Sequence, residues 1–403
     1  MPHIVVVGAG QAGLQVVESL RRGGYTDALT LIGDEPWLPY QRPPLSKKFL
    51  LEEMDPTRLY FRQTEHFNKQ DVTLRLGISV IQLNRATCEL TLSDGSIVRY
   101  DRLALATGSR VRTLPVPGAD DPRVCYLRGL DDAVRIKARL LETSRVVIVG
   151  AGFIGLEIAA VARALGKDVT VIEAQGRVMP RVVAPLVSAY FQRVHESHGV
   201  RVMTDAPVQA VVNSGAGLAV RLRDATEISA ELIIVGIGVV PNTELAAAAG
   251  IICDSGIVVD EFARTNDSAI VAAGDCTRHR NTLFTEPHRL ESVQNAVDQA
   301  KVAAASLLDA PVPYAQVPWF WSDQYDIKLQ MAGISTGYDD LVLRGAPESG
   351  AFSVFYYAGE RLLAVDSINR PAEHMVARRL LLAGTKIAKH SAADVAVDLK
   401  SVI

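Results

Sequence analysis

At 403 residues the chain is long for one domain and suits two or three, and at 48% hydrophobic and 22% charged it can bury a sizeable core. A formal charge of −3 gives no basic footprint for nucleic acid, and no apolar run reaches the ~18 residues of a membrane-spanning helix. Four dispersed cysteines (Cys88, Cys125, Cys253, Cys276) and an N-terminus without the marks of a secretion signal point to a cytoplasmic protein with reduced thiols.

Strand and helix signals alternate from the start. Ile4–Val7 reads as a strand, Ala12–Arg22 as a helix and Leu29–Ile32 as a second strand ending at Gly33-Asp34-Glu35. The stretch WLPYQRPPLSKKFL that follows is proline-rich and too irregular for either period. Cys88–Leu92 and Ile97–Tyr100 flank Ser-Asp-Gly, a hairpin signal, and Leu103–Ala106 is a further strand closed by Thr107-Gly108. A second strand–helix–strand series begins at Val146, with a helix over Ile154–Leu165 and a strand over Val169–Ile172 that reaches Glu173. ELIIVGIGVVPN and IVAAGDC are buried strands running into loops, and a helix follows from about Ser292 to Leu308. From Pro311 the runs YDIKLQMAG, DLVLRG, FSVFYYAG and RLLAVDSIN suggest antiparallel strands, with a helix over Ala372–Leu382.

Two glycine turns carry the chemistry. Gly8-x-Gly10-x-x-Gly13 and Gly150-x-Gly152-x-x-Gly155 each follow a β-branched strand, open a helix, and precede a second strand ending in acid. The first glycine allows the tight turn, the second lets a pyrophosphate approach the backbone, and the third lets helix and strand pack closely. A helix N-terminus then presents N–H groups and a partial positive charge to the phosphates. The acids, Asp34 or Glu35 in the first unit and Glu173 in the second, sit where a carboxylate accepts from ribose hydroxyls. One nucleotide needs one such turn, so two turns imply two cofactors. Glu173 would repel a 2′-phosphate, which favours NADH over NADPH, and the nearby Arg177 and Arg181 could soften that preference.

Other chemistries lack their residues. There is no C-x-x-C or C-x₄-C for a redox disulfide, and Cys276, which follows Gly274-Asp275, reads as a packed side chain. No cysteine cluster for an iron–sulfur centre, zinc ligand pair or G-x-S-x-G appears, so no metal site is expected. His195 and His198 in VHESHG read as an exposed helix end.

The stretches GAGQAG (8–13), LIGDEPWLPYQRPPLSK (31–47), YDRLALATGS (100–109), VGAGFIGLEIAA (149–160), GIGVVPN (236–242), AAGDC (272–276), ESVQNA (291–296) and WFWSDQY (319–325) carry a family resemblance. The chain resembles, nearly end to end, the FAD-dependent ferredoxin reductases of bacterial oxygenase systems, the putidaredoxin reductase and biphenyl-dioxygenase reductase group. PPLSK together with WFWSDQY is more diagnostic than either glycine turn. The resemblance implies an α/β fold of glutathione-reductase type. Two Rossmann-like dinucleotide-binding domains are expected, 1–111 with 239–312 for FAD and 112–238 for NADH, followed by an α+β domain over 313–403.

Residue by residue, the resemblance implies that Gly8, Gly10, Ala12 and Gly13 hold the FAD pyrophosphate and Asp34 or Glu35 its adenosine ribose. Arg42 and Lys47 would approach the phosphates and flavin, Val80 the adenine end, and Ala106, Thr107 and Gly108 would line the cofactor, with Arg128 and Trp319 also assigned to cofactor binding. Asp275 would bind the ribityl chain and Val293 lie by the ring. Gly150, Gly152, Ile154, Gly155, Glu157 and Glu173 would take NADH, with Gly236 and Gly238 beside it. Lys47, Glu157 and Trp321 are the catalytic candidates: a cation that Glu157 could pair with, and an aromatic covering the flavin edge that faces the acceptor. The implied reaction passes hydride from NADH to FAD and single electrons to a [2Fe–2S] ferredoxin that serves a cytochrome P450 or an aromatic-ring dioxygenase. Docking would be transient and would use a local basic surface, for which Arg62, Lys301, Lys328 and Arg289 are candidates. A rubredoxin reductase, or an NADH-sensing flavoprotein resembling apoptosis-inducing factor, is the alternative.

Overall fold

The strand His3–Val7 is buried along nearly its whole length, as a β-branched run is when both faces of its sheet are covered. It pairs in parallel with Ala28–Gly33 on one side and Arg102–Leu105 on the other. Val72–Leu76 and Ile270–Ala272 extend these edges into a five-stranded parallel sheet. The crossover helix Gln11–Arg22 shares a core with the helix Val293–Leu307, whose Ala296, Ala300 and Ala303 lie buried with Val16 and Leu20. A computed structural model describes residues 2–51, 54–215, 217–283 and 286–402 of the chain. It divides into two compact units, the first being Met1–Gln41, Thr57–Arg110 and Val240–Phe320.

The second unit comprises Arg42–Pro56, Val111–Val239 and Trp321–Ile403. Its parallel sheet repeats the plan of the first: Arg145–Val149 lies between Asp168–Ile172 and Leu232–Val235, with Arg201–Met203 and Val124–Tyr126 outside them. The same unit holds an antiparallel sheet of Ile327–Gly333, Arg361–Ile368, Ala351–Ala358 and Asp340–Ala346, with residues 321–324 adding an outer edge. The helix Pro371–Ala383 covers one face through Val376, Ala377 and Leu380. A second helix, Pro185–Ser197, stands against the other, where Tyr190 meets Phe352 edge-on at 5.0 Å and the Ala184 N–H donates to the Tyr356 hydroxyl at 3.0 Å. That double covering explains why Ala351–Ala358 is buried on both faces instead of alternating.

Two features differ from the sequence reading. The proline-rich stretch is ordered: Pro43–Ser46 forms a 3-10 turn and Lys48–Leu51 a single helical turn. Pro43 and Pro44 arrive with φ already near the helical value, and the Leu45 N–H closes the turn onto the Arg42 carbonyl at 2.9 Å. The helix Pro185–Ser197 buries His195 completely, so His195 is not part of an exposed helix end. Its ring sits four residues beyond Phe191, on the inward stripe, and only His198 reaches solvent. No helix among the described residues is long and apolar enough to cross a membrane.

Candidate functional site

In the first unit, four parallel strands end on one edge of the sheet, and the predicted cofactor residues stand just past them. Gly8 follows His3–Val7 and Asp34 follows Ala28–Gly33. Ala106 follows Arg102–Leu105, and Asp275 lies just past Ile270–Ala272. The carboxyl edge is where open α/β sheets take ligands. The three glycines of the turn are not equivalent. A Cβ on Gly8 would lie 2.0 Å from the Ala106 carbonyl oxygen and one on Gly13 1.8 Å from that of Gly8, whereas one on Gly10 would meet nothing within 4 Å. The outer pair therefore serves packing, and the middle glycine leaves space over the N-terminus of Gln11–Arg22, which no side chain caps.

Its surroundings are fixed by hydrogen bonds. Tyr40 donates to Glu35 Oε2 at 2.5 Å, while Asp34 is exposed, so Glu35 is the acid that the fold positions. Thr107 Oγ1 donates to the Asn242 carbonyl at 2.7 Å and Asn242 Nδ2 returns a bond to the Thr107 carbonyl at 2.8 Å. Ser109 donates to Asp275 Oδ2 at 2.9 Å, and Gln299 Oε1 accepts from the Gly274 N–H at 2.8 Å and from Thr277 Oγ1 at 2.9 Å. Val293 opens its helix behind a Ser292 cap that accepts from the Asn295 N–H at 3.0 Å. Val80 is half-buried in the small antiparallel sheet Val80–Asn84, Glu89–Leu92 and Ile97–Arg99. Trp319 is half-buried, and its backbone N–H donates to Gln294 Oε1 at 3.2 Å. Tyr40, Ser109, Asn242 and Gln299 are not legible in the sequence: Tyr40 acts five residues away but inside an irregular loop, and the other three act across 22 residues or more.

The second unit repeats the construction. A Cβ on Gly150 would lie 2.5 Å from the Gly236 oxygen and one on Gly155 2.1 Å from that of Gly150, but one on Gly152 would come no nearer than 3.9 Å to Gly236. Ile154 lies exposed in the first turn of the helix Phe153–Ala164. Glu173 Oε2 accepts from the Ala151 N–H at 2.9 Å and Oε1 from the Gln175 N–H at 3.0 Å, which fixes the carboxylate at the turn. Arg177 donates to the carbonyls of Val183 at 2.8 Å and Pro180 at 2.6 Å, so it braces the backbone. Arg181 is exposed, with Nη2 3.5 Å from where a Gly238 Cβ would lie. The Gly238 carbonyl accepts from the Arg112 N–H at 2.9 Å, and Arg128 follows the strand Val124–Tyr126 on the same carboxyl edge.

A buried polar cluster lies in this unit too. Lys47 Nζ stands 2.7 Å from Glu157 Oε2, Ser46 donates to the same oxygen at 2.5 Å, and Ser322 donates to Oε1 at 2.7 Å. Glu157 is 2% exposed and Lys47 18%. A buried carboxylate is tolerated when its lone pairs are met and a cation is in contact, and three donors meet both conditions here. The 3-10 turn ending at Ser46 delivers Ser46 and Lys47 side by side. Arg42, at the other end of that turn, donates to the Arg128 carbonyl at 2.8 Å. Trp321 is half-buried next to Ser322 in sequence, on the opposite face of the strand. Ser46 and Ser322 went unread as site residues, although both lie inside the two most diagnostic stretches.

Cys276 is fully buried, its Sγ directed at the carbonyls of Ala273 (3.4 Å) and Leu105 (3.7 Å), and burial pushes its thiol pKa up. Burial likewise raises Cys125 and Cys253. Such thiols are poor nucleophiles. Of the basic candidates, Arg62 is paired with Glu18, Lys301 with Asp298 and Arg289 with Glu291, while Lys328 is exposed.

Residues 2–300 match the family described as pyridine nucleotide-disulphide oxidoreductase, and residues 319–403 match the reductase C-terminal family. The chain is 46% identical to rhodocoxin reductase of Rhodococcus erythropolis over 401 residues, covering 99% of this chain and 94% of that protein. A ferredoxin reductase for the CYP199A2 system of Rhodopseudomonas palustris superposes with a TM-score of 0.97 at 42% identity, over 100% of this chain and 99% of that one. Putidaredoxin reductase in its covalent complex with putidaredoxin superposes at 0.96 and 40% identity, over 100% and 98%. Two dinucleotide-type turns on duplicated parallel sheets, followed by an antiparallel C-terminal sheet, are the architecture these relatives share, and this chain belongs to the pyridine nucleotide-disulphide oxidoreductases, among the ferredoxin reductases related to putidaredoxin reductase.

Proposed function

We propose that this chain is a cytoplasmic NADH-dependent reductase that delivers electrons through FAD to a [2Fe–2S] ferredoxin serving a cytochrome P450 or an aromatic-ring dioxygenase. The observation that carries this reading is the pair of glycine turns, each jammed at its first and third positions and open at its second. FAD, when bound, accepts hydride from NADH and passes its electrons on singly, the conversion an iron–sulfur acceptor requires. Residues of the first unit fit that group. Gly8, Gly10, Ala12 and Gly13 cradle the pyrophosphate, and Glu35 meets a ribose. Val80, Ala106, Thr107, Gly108 and Trp319 line the cofactor, with Asp275 on the ribityl chain and Val293 by the ring. Residues of the second unit, Gly150, Gly152, Ile154, Gly155, Glu173, Gly236 and Gly238, fit NADH. Arg42 and Arg128 serve the phosphates, and Trp321 covers the acceptor side. Lys47, held by Glu157, supplies a preset cation that needs no reorganisation during charge transfer.

The fixed Glu173 carboxylate sets nucleotide choice, because Arg177 is committed to the backbone. Glu173→Ala lowers the preference for NADH over NADPH, read as the ratio of the two kcat/KM values, by on the order of tenfold, the size of one like-charge contact.

A partner of ferredoxin type is supported by the solved complex of putidaredoxin reductase with putidaredoxin. The test is NADH-driven reduction of cytochrome c with a [2Fe–2S] ferredoxin added at rising salt. The rate should require the ferredoxin and fall about threefold or more between ~0.05 and ~0.5 M salt, as the screening length shrinks. A rate indifferent to the ferredoxin overturns the reading, and one indifferent to salt removes electrostatic docking from it.

A further inference from the structure

The Glu157 carboxylate is one end of a longer buried chain within the second unit. Ser322, 2.7 Å from Glu157 Oε1, lies 3.2 Å from Gln324 Nε2. Gln324 Oε1 lies 2.9 Å from His195 Nε2, and His195 Nδ1 lies 3.1 Å from the Tyr325 hydroxyl. Ser322, Gln324 and His195 are each fully buried. Ser322 and Gln324 share one face of their strand because they are two residues apart.

The direction of every bond follows from the carboxylate, which only accepts. Ser322 must donate to Glu157, so its oxygen receives the Gln324 amide N–H. Gln324 Oε1 must then accept, which places the imidazole proton on His195 Nε2 and leaves Nδ1 to accept from Tyr325. The imidazole must be neutral for this, and burial, the largest influence on it, pushes its pKa down to about 4. Tyr325 closes the chain at the surface, its ring stacked on exposed His198 at 3.7 Å and 13°. Tyr325 is the first residue of the two-residue turn between residues 321–324 and Ile327–Gly333, and its φ of 56 is the positive value such a hairpin turn takes there.

We propose that Ser322, Gln324 and His195 are positioning residues for the reaction, a one-way chain of donors that holds the Glu157 carboxylate in the orientation that fixes Lys47. The inference rests on the functional reading above, in which Lys47 is the cation serving hydride transfer. None of the three residues needs to touch cofactor or substrate. Each acts on the next, and the effect ends at Glu157.

The test uses the FAD-loaded protein and stopped-flow reduction by NADH. Ser322→Ala should slow flavin reduction about tenfold, the worth of one hydrogen bond to a charged group, and Gln324→Met about fivefold, the worth of a neutral one, each with the apparent Kd for NADH within about twofold. Ser322→Thr, which keeps the hydroxyl, should recover most of the rate. In a Glu157→Gln background neither substitution should lower the rate further by more than about twofold, since both act through that carboxylate. If Gln324→Met does not fold, Ser322→Ala carries the comparison alone. Independently of turnover, ¹⁵N spectra of histidine-labelled protein at neutral pH should show His195 as the neutral Nε2–H tautomer. Additive losses in the Glu157→Gln background, or an Nδ1–H ring, overturn the chain while wild-type reduction by NADH leaves the functional reading standing. Wild-type protein that NADH does not reduce sinks that reading itself.

Discussion

Gly10→Val should give a folded, colourless protein. Gly10 has φ −88 and ψ −162, an extended conformation open to any residue, and a Cβ there meets no atom within 4 Å. The melting temperature should match that of flavin-stripped wild type to within about 2 °C, as for a substitution that disturbs no packing. The valine fills the space over the helix N-terminus where a pyrophosphate receives backbone N–H bonds. FAD affinity should therefore fall by roughly three orders of magnitude, the worth of two or three charge-assisted bonds. Gly13→Ala contrasts sharply, because its Cβ would lie 1.8 Å from the Gly8 carbonyl oxygen and the turn cannot close. Protein yield, melting and bound flavin absorbance separate the two. Yellow Gly10→Val protein would remove the cofactor from this turn.

Lys47→Met should be more damaging than Glu157→Gln, although both break one ion pair. Removing the lysine leaves a 2%-exposed carboxylate with two serine donors and no counter-charge, and loss of one partner of a buried pair costs about 3 kcal/mol or more. In Glu157→Gln the partner left over is the 18%-exposed lysine, which water can reach, and the serine hydroxyls can turn to suit an amide. The double variant should recover part of the loss in urea unfolding, since no buried charge is left unpaired. Flavin reduction by NADH should fall about a hundredfold in Lys47→Met, the scale of removing a preset charge from a transition state. Equal stability of the two single variants would contradict the burial argument.

What was legible in the sequence was what is local. A β-branched strand, a glycine turn and an amphipathic helix are set by neighbouring residues, so the inner strands of both parallel sheets and both turns are legible, whereas the short edge strands Val72–Leu76, Val124–Tyr126 and Arg201–Met203 are not. The surroundings of Glu157 were not, because Ser46, Glu157 and Ser322 come from three distant stretches. The pairing of Lys47 with Glu157 was suggested by family resemblance and by the opposite charges, and the structure brings them to 2.7 Å. The two serines that complete the cluster carry no charge pattern to betray them. The helix Pro185–Ser197 could have been found, since Val187, Tyr190, Phe191 and Val194 keep helical spacing behind a proline at its first position. Reading it would have placed His195 on the buried stripe and corrected the expectation of an exposed helix end.

The central claim is that two dinucleotides exchange hydride in this chain with no sulfur relay between them. Anaerobic titration of the FAD-loaded protein with NADH tests it most directly, run on wild type and on Cys276→Ser. The account predicts that the flavin bleaches fully with one equivalent of NADH per flavin in both proteins, at matching rates. Uptake of two equivalents would reveal an oxidised sulfur acceptor, a disulfide or sulfenic acid, and failure of the serine variant to bleach would reveal a cysteine the transfer needs; either contradicts it.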